Sequence, residues 1–569
     1  MDYNFAFRIR IIVVCTFLCA LVIVARLYHV QILYGEVYEK KAQKQYLKPS
    51  LANMNRGSIF FTEKNGDKIS VATIKEGYTV SINPKSIKDA DQVYEALSEY
   101  IEIDKEIFLD KVMKKDNSYF ELGKRLESQI GQSINALNLE GVFANKENWR
   151  IYPADFLSSH TIGITGLDKN NVLAGRYGLE SYYEKILSRK TISSNINFFA
   201  ELFSNIKKTV FSEESREGDL ISSIEPTVAS YLEKTLSDTQ DKWKSDSIGG
   251  IIMDPNNGEI YAMVNFPTFN PNDLSNIKDA KIFSNPLVES SYEMGSIIKP
   301  LTMAVGLDSQ AITIDSTYDD KGFLVLNGRK ISNFDGKARG VVPVQEILSQ
   351  SLNIGAATIA LRAGADTISR YFLSFGLGDK TGIEQPNEQK GLVNNLSAKR
   401  DIEIATASYG QGISMTPIQT IRALSTLANG GILIKPHIIK SIEYIDGHSE
   451  IIETDGVRVL KKESVDDVTS LLINVVDKAL NGGKAKMENY SIAAKTGTAQ
   501  IADPVNGGYY KDRYLHSFFG YFPAYNPKFI IFLYHIHPKN VEYASATLTD
   551  PFMQMTKFLI NYYEIPPDR

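Results

Sequence analysis

The 569-residue sequence contains only two cysteines, Cys15 and Cys19, and both lie in one apolar run near the N-terminus. Because one helix would carry both, they form neither a disulfide framework nor a metal-binding spacing. The sequence also lacks a G-x-S-x-G elbow and a Walker A loop, which argues against an α/β-hydrolase nucleophile and a P-loop nucleotide site. The formal net charge is only −5, so nothing in it indicates a nucleic-acid partner.

Long apolar runs are also scarce, and the clearest one is residues 11–25, IIVVCTFLCALVIVA, which follows Arg8 and Arg10. LYHVQIL extends its apolar character, so residues 11–30 are predicted to form a transmembrane helix. No small-x-small cleavage site follows, which favours an uncleaved anchor over a signal peptide. The two arginines place residues 1–10 in the cytoplasm, which predicts a single-pass protein of the cytoplasmic (inner) membrane whose remaining chain is extracytoplasmic or periplasmic.

The rest of the chain is ordinary in composition, with 43% hydrophobic and 23% charged residues, so it can bury a large core. Residues 31–218 mix short strands and helices without a catalytic constellation, which predicts a non-catalytic α+β pedestal. Residues 219–569 begin with a hairpin around DPNNGE, continue with Ala- and Leu-rich helices and return to strands. The predicted fold class is therefore α+β, with the second domain a sheet layered with helices.

The stretch SYEMGSIIKPLTMAVGLDS contains a candidate nucleophile, Ser296, and a candidate base, Lys299. A helix beginning at Ser296 would place both side chains on one face, and Pro300 is tolerated only in a first turn. A serine needs a base to become a nucleophile, and a desolvated lysine can supply one. Ser-x-x-Lys also occurs at Ser204–Lys207 and Ser275–Lys278, but neither pair opens a long apolar helix.

Two further short motifs follow in order. Ser351 and Asn353, in LSQSLNIGAATIALRAGA, form a Ser-x-Asn motif that can relay a proton and hold a peptide group. The tripeptide Lys-Thr-Gly occurs twice, at Lys495 inside YSIAAKTGTAQIA and at Lys380 inside SFGLGDKTGIEQP. The first reads as a strand and the second as a loop, so Lys495 is the candidate for a substrate-binding strand.

The order of these motifs, together with other segments, resembles a class B penicillin-binding protein, a D,D-transpeptidase of the bacterial cell wall. The resemblance covers nearly the whole chain. It includes RGSIFFTEKNGDKIS, RIYPADFLSSHTIG, YGLESYYEKIL, MDPNNGEIYAMVNFPTFNPND, YGQGISMTPIQ and LANGG. In two minor departures, Met294 stands where the family often has proline, and Leu352 replaces the common middle serine.

The resemblance implies a serine β-lactamase-like transpeptidase domain at residues 219–569 and a dimerisation-like pedestal at 31–218. Ser296 would attack the D-Ala-D-Ala carbonyl of a stem pentapeptide, and Lys299 would take its proton. Ser351 and Asn353 would relay a proton and position the substrate. Lys495 is the fifth implied catalytic residue and would also bind the terminal carboxylate of the substrate. Thr496, Gly497 and Thr498 are implied for substrate binding, with the backbone N–H groups of Ser296 and Thr498 as the oxyanion hole.

The resemblance further implies acylation by β-lactams, no cofactor and no metal. It also implies a SEDS-family glycosyltransferase and divisome or elongasome membrane proteins as partners, with division favoured over elongation. A D,D-carboxypeptidase or β-lactamase-type hydrolase is the alternative enzyme, although the anchor and pedestal argue against it. A non-catalytic penicillin or cell-wall sensor is the alternative from another class, and a complete catalytic set argues against it.

Two other features of the sequence lie outside the three motifs, a pair of histidines and an aromatic stretch. His535 and His537 alternate along a predicted strand, which is compatible with a metal pair but lacks a third ligand at a suggestive spacing. The aromatic stretch GGYYKDRYLHSF, residues 507–518, either lines the cleft or packs beside it.

Overall fold

The computed structural model describes residues 3–29, 55–167, 173–189 and 217–569. The strands are Ile59–Thr62, Lys68–Ile82, Phe120–Leu126, Val142–Ile151, Thr165–Leu167, Leu173–Gly175, Gly218–Ser222, Ser247–Met253, Ile260–Phe266, Thr317–Asp320, Phe323–Leu326, Arg329–Ser332, Gly340–Pro343, Ile432–Ile434, Ile439–Tyr444, Ser449–Ile451, Gly456–Arg458, Ala493–Ala502, Tyr509–Phe522 and Phe529–Ile536. The α-helices are Tyr3–Tyr28, Ala90–Ser98, Lys105–Met113, Ser128–Ala136, Ser159–Ile162, Gly178–Tyr182, Glu184–Leu187, Pro226–Trp243, Pro286–Glu289, Lys299–Asp308, Gln345–Ser349, Asn353–Ala363, Ala365–Ser374, Asn394–Ala398, Asp401–Ala407, Pro417–Ser425, Lys462–Asn474 and Ala544–Tyr562.

By its internal contacts the chain divides into two compact units, residues 1–55 with 74–149 and residues 56–73 with 150–569. In the first unit, helices Ala90–Ser98 and Lys105–Met113 begin at Asp89 and Asp104, whose carboxylates accept backbone N–H groups of the first turn. Buried Val93, Leu97, Phe108, Val112 and Ile134 form part of a core of its own. The mixed α+β pattern predicted for this region is present, while the predicted boundary at residue 219 stays a prediction.

The second unit contains a five-stranded antiparallel sheet in the order 493–502, 509–522, 529–536, 247–253 and 260–266. The hairpin predicted around DPNNGE is confirmed as the last two of these strands. Phe529–Ile536 is a nearly continuous apolar run because it lies in the middle of the sheet and is buried on both faces. Strand 493–502 lies at one edge of the sheet, which leaves its outer side for a neighbouring segment or a ligand.

Helices cover this sheet through aromatic contacts. The C-terminal helix Ala544–Tyr562 packs against the sheet by stacking Phe552 on Phe518, with ring centroids 4.4 Å apart. Its Phe558 stacks on Tyr231 of helix Pro226–Trp243 at 4.0 Å. Aromatic pairs of this kind contribute about 0.5–1.5 kcal/mol beyond the area that they bury.

The N-terminal helix is Tyr3–Tyr28, which includes most of the predicted anchor. Within the described residues, no helix meets the length and hydropathy needed to cross a membrane. The span at residues 11–30 and the cytoplasmic tail at 1–10 therefore stay predictions.

A buried ionic cluster gives a test of the second unit's stability. Glu180 is fully buried and accepts from the guanidinium groups of Arg56 at 2.6 Å and Arg150 at 2.7 Å. Glu180→Ala leaves two buried cations without this carboxylate, so we expect the free energy of unfolding to fall by about 3–5 kcal/mol. Denaturant unfolding of the full chain in detergent measures the loss.

The matched control is Asp466→Ala, which removes an exposed partner of Lys462 at i,i+4 and should change the same quantity by about 0.5 kcal/mol at most. Equal losses in the two variants would contradict the prediction.

Candidate active site

Ser296 lies in a tight 3₁₀ turn, Gly295–Ile298, which continues directly into the α-helix Lys299–Asp308. Positions i and i+3 eclipse in a 3₁₀ turn, so Ser296 and Lys299 lie on one face, one turn apart as expected. Gly295 has φ +64, and a Cβ there would meet the Thr498 carbonyl oxygen at 2.9 Å. Glycine is therefore required for the turn to approach the strand that carries Thr498.

Lys299 is fully buried, and its helix is buried along its whole length. Its Nζ donates to the Ser351 carbonyl at 2.6 Å and to the Ser351 hydroxyl at 3.2 Å. These hydrogen bonds join the first motif to the second. The predicted reach of the Lys299 amine to the Ser296 hydroxyl stays a prediction.

The Ser351 hydroxyl also accepts a hydrogen bond from a second lysine. Lys495 Nζ donates to Ser351 Oγ at 3.1 Å and to the Thr496 carbonyl at 2.9 Å. Ser351 itself has φ +59, a left-handed conformation that is unusual for a residue with a side chain. A hydroxyl has two acceptor lone pairs and one hydrogen, so accepting from two amines leaves the hydrogen for a third partner.

Burial changes the charge that these lysines carry. It lowers the pKa of Lys495 to about 7. Burial, and then the neighbouring charge of Lys495, lowers the pKa of Lys299 well below its ordinary value. Two ammonium groups around one hydroxyl repel each other, so the pair favours states in which at least one amine is neutral and can accept a proton.

Asn353 is the first residue of helix Asn353–Ala363, and its Nδ2 donates to the Ser332 carbonyl at 3.1 Å. The other branch of the amide, Oδ1, is therefore directed away from Ser332. This geometry suits an oxygen that accepts from a ligand N–H.

The strand Ala493–Ala502 carries Lys495, Thr496, Gly497 and Thr498, as the sequence predicted. A Cβ on Gly497 would meet Ser517 Oγ at 2.4 Å and the Met294 carbonyl at 2.8 Å. Gly497 thus allows the strand to lie tightly between its neighbour and the serine turn. Thr498 Oγ1 accepts the Ala544 N–H at 3.1 Å, which ties this strand to the start of the C-terminal helix.

These groups share one cleft of about 920 Å³. Its lining includes Ser296, Ser351, Asn353, Lys495, Thr496 and Thr498. Lys299 is connected to the cleft through Ser351, to which its amine donates. Gly497 lies in the strand between the lining residues Thr496 and Thr498. Tyr509 and Tyr514 also line the cleft, so at least these two residues of the aromatic stretch 507–518 face it.

The competing short motifs lie elsewhere. Lys380 is exposed in a loop whose Thr381 and Gly382 N–H groups donate to the Glu388 carboxylate at 2.6 and 3.0 Å. Ser275 is exposed in a loop and donates to Asp273 at 2.6 Å. The pair Ser204–Lys207 lies outside the described residues.

Sequence reasoning missed Glu293, which connects three segments around the serine turn. Its carboxylate accepts the Gly412 N–H at 3.0 Å and the Tyr509 hydroxyl at 2.9 Å. Burial raises the pKa of this carboxyl. Its position three residues before Ser296 was a signal, but its partners lie more than a hundred residues away along the chain.

The two histidines separate in the structure. His535 is fully buried in the sheet, where burial lowers its pKa to about 3. His537 follows the strand, and its Nδ1 lies 2.9 Å from Asp246. Among the described residues, no three His, Cys, Asp or Glu side chains are arranged to hold a metal ion.

Two family sequence profiles match the chain. Residues 248–555 match the penicillin binding protein transpeptidase domain, and residues 52–222 match the penicillin-binding protein dimerisation domain. The first match includes every candidate catalytic residue.

Curated relatives match over almost the whole length. The chain is 28% identical to stage V sporulation protein D of Bacillus subtilis (strain 168), over 97% of this chain and 85% of that protein. It is 27% identical to peptidoglycan D,D-transpeptidase FtsI of Buchnera aphidicola subsp. Schizaphis graminum, over 98% and 96%. The Escherichia coli (strain K12) FtsI is 24% identical, over 99% and 93%.

Solved structures establish the fold. Penicillin-binding protein 2X from Streptococcus thermophilus superimposes with a TM-score of 0.74 at 19% identity, covering 90% of this chain and 80% of that one. Penicillin-binding protein 3 from Mycobacterium tuberculosis, complexed with aztreonam, gives a TM-score of 0.69 at 22% identity, covering 91% and 98%.

The lowered pKa of Lys495 predicts a measurable linkage between stability and pH. The ordinary lysine value is 10.5, so from pH 7 to about 10 the unfolded chain binds a proton that the folded chain lacks. Folding stability then rises with pH by about 1.4 kcal/mol per unit. We therefore expect Lys495→Met to be more stable than the native chain at pH 7, with a difference that shrinks as the pH rises.

Unfolding free energies at pH 7, 8 and 9 give the difference between variant and native chain. Lys380→Met, in the exposed copy of the tripeptide, is the control and should show a constant difference. A constant difference for Lys495→Met as well would sink the prediction.

Proposed function

The chain belongs to the class B penicillin-binding proteins and is a peptidoglycan D,D-transpeptidase, and on this premise we propose that it acts through an acyl-enzyme on Ser296. Its substrate is a stem pentapeptide that ends in D-Ala-D-Ala. The observation that carries this proposal is the shared cleft, in which Ser296 faces the same space as the Ser351 hydroxyl and the Lys495 amine.

In the proposed acylation, Ser296 Oγ bonds to the carbonyl carbon between the two D-alanines while neutral Lys299 takes its proton. The oxyanion is held by the backbone N–H groups of Ser296 and Thr498, and one such donor contributes about 10²–10³ in rate. The C–N bond then breaks, and the leaving amine takes a proton from Ser351, which the lysines replenish.

The strand beyond the nucleophile holds the terminal carboxylate of the substrate. Lys495, in its charged form, and the hydroxyls of Thr496 and Thr498 supply the donors. Gly497 keeps a side chain out of the close contact between this strand and the serine turn. β-Lactams present a carboxylate next to a strained amide and acylate Ser296 by the same route.

In the second half-reaction, an amine of a neighbouring stem peptide attacks the acyl-enzyme and forms the crosslink. A D,D-carboxypeptidase or β-lactamase would use water at this step, and a sensor would not turn over. The relatives named as D,D-transpeptidases support attack by an amine over hydrolysis by water and over binding without turnover.

We also propose a location and partners. Residues 11–30 would anchor the chain in the cytoplasmic membrane, with residues 1–10 inside the cell and the transpeptidase domain outside. A SEDS-family glycosyltransferase would supply glycan strands, within the division machinery in preference to the elongation machinery. The FtsI names of two relatives support this preference.

Labelling with a fluorescent penicillin tests the nucleophile. We expect Ser296→Ala to lose covalent label, because the proposed acyl bond forms on the Ser296 hydroxyl oxygen, which alanine lacks. Ser275→Ala, in an exposed copy of the motif, should label like the native protein. Label that persists on Ser296→Ala would overturn the assignment.

A second measurement separates the transferase from the hydrolase. Purified protein with a cognate glycosyltransferase and lipid II should yield crosslinked dimers of stem peptides and free D-alanine, and benzylpenicillin should abolish both. Release of D-alanine without crosslinks would favour the carboxypeptidase, and the Ser296→Ala protein is the inactive control.

A further inference from the structure

The helix that presents Asn353 lacks a cap of its own. Leu352 stands at the N-cap position of Asn353–Ala363, and its apolar side chain makes no capping hydrogen bond. The first N–H groups of a helix have no partner inside the helix, and a buried one without a partner is costly. Ile354, the second residue of this helix, is buried, so its N–H needs an acceptor from elsewhere.

Asn333 supplies that acceptor from a distant segment. Its Oδ1 accepts the Ile354 N–H at 3.1 Å. Asn333 is only 2% exposed as a residue, although it lies at the wall of the cleft. The chain therefore caps this helix from outside, with the residue that follows strand Arg329–Ser332.

Asp320 fixes which way the Asn333 amide faces. Asp320 is fully buried, and both of its carboxylate oxygens accept from Asn333 Nδ2 at 2.9 Å. A carboxylate only accepts, so the NH₂ end must face Asp320 and the oxygen end must face Ile354. The Gly322 N–H also donates to Asp320 at 3.0 Å, and the positive charge of Arg339 lies within electrostatic reach.

The same segment also holds the Asn353 side chain. Ser332, the neighbour of Asn333, accepts from Asn353 Nδ2 at 3.1 Å. Backbone and side chain of the motif are thus both held by residues 332–333, and this support is anchored to Asp320.

We propose that Asn333 and Asp320 are positioning residues that set Asn353 to bind the acylamino group of a donor peptide or of a penicillin side chain. This inference rests on the proposed function and on the substrate-positioning role that the resemblance implies for Asn353. It assigns the recognition of that amide group to a polar support outside the three motifs. A ligand without an acylamino group gains nothing from this support.

The test compares two ligands on the full chain in detergent. Benzylpenicillin carries an acylamino group at C6, whereas penicillanic acid has hydrogen there. Competition with a fluorescent penicillin gives the acylation rate constant for each. For Asn333→Ala we expect about a tenfold loss with benzylpenicillin and less than a twofold loss with penicillanic acid, because a buried hydrogen bond contributes about tenfold.

Three variants make the result decisive. Asn285→Ala is the matched control, because Asn285 is equally buried and caps helix Pro286–Glu289 through Leu287, and both ligands should be unaffected. Asn333→Asp places a second carboxylate beside that of Asp320 and should lose acylation by benzylpenicillin. The exchange Asp320→Asn with Asn333→Asp restores one amide and one carboxylate and should recover it, even if Asn333→Ala folds poorly.

Asn353→Ala separates failure of this inference from failure of the proposed function. It should show the same preference between ligands, and the double variant with Asn333→Ala should lose no more than either single variant. If Asn353→Ala discriminates and Asn333→Ala does not, or if the exchange fails to recover acylation, the positioning role is overturned. If Asn353→Ala does not discriminate, its proposed role falls, while labelling of Ser296 still tests the nucleophile.

Discussion

The hydroxyl of Ser351, held between two buried amines, is the contact on which the site depends. Lys299 and Lys495 come from a helix and a strand that are far apart in the sequence, and both donate to this one oxygen. Both lysines are buried, and burial lowers the pKa of each. Protons are therefore shared by the group as a whole, and the fold keeps available the neutral amine that acyl transfer needs.

That contact constrains the surrounding fold. The Lys299 helix must be buried along its length, and the Lys495 strand must lie against the serine turn at a distance that only Gly295 and Gly497 permit. The strand is also at the edge of its sheet, where an extended peptide can approach its backbone. The sheet, through Lys495, and the buried helix, through Lys299, therefore both donate to the same oxygen, and Ser351 lines the cleft.

Much of the fold and of the site could be predicted from the sequence because the signals are local. The DPNNGE hairpin follows from turn residues between apolar runs, and the strand at Lys495 differs from the loop at Lys380 in its neighbouring residues. The sharing of Ser351 by two lysines could not be predicted, because it depends on segments brought together only by the tertiary fold. Glu293 was missed for the same reason, since both of its partners come from distant loops.

The three motifs also differ in how they are supported, and this explains why their supports are hard to read from a sequence. The serine turn and the Lys495 strand are held by close backbone packing, for which glycine is a visible marker. The Ser-x-Asn motif is held by buried polar groups, Asp320 and Asn333, in a region of small hairpins with ordinary composition. An aspartate and an asparagine thirteen positions apart form no pattern, yet a buried polar pair persists only when its hydrogen bonds are complete. One of these hydrogen bonds comes from the Ile354 N–H. Helix Asn353–Ala363 has no side-chain cap at its own N-cap position, and this accounts for the presence of both buried residues.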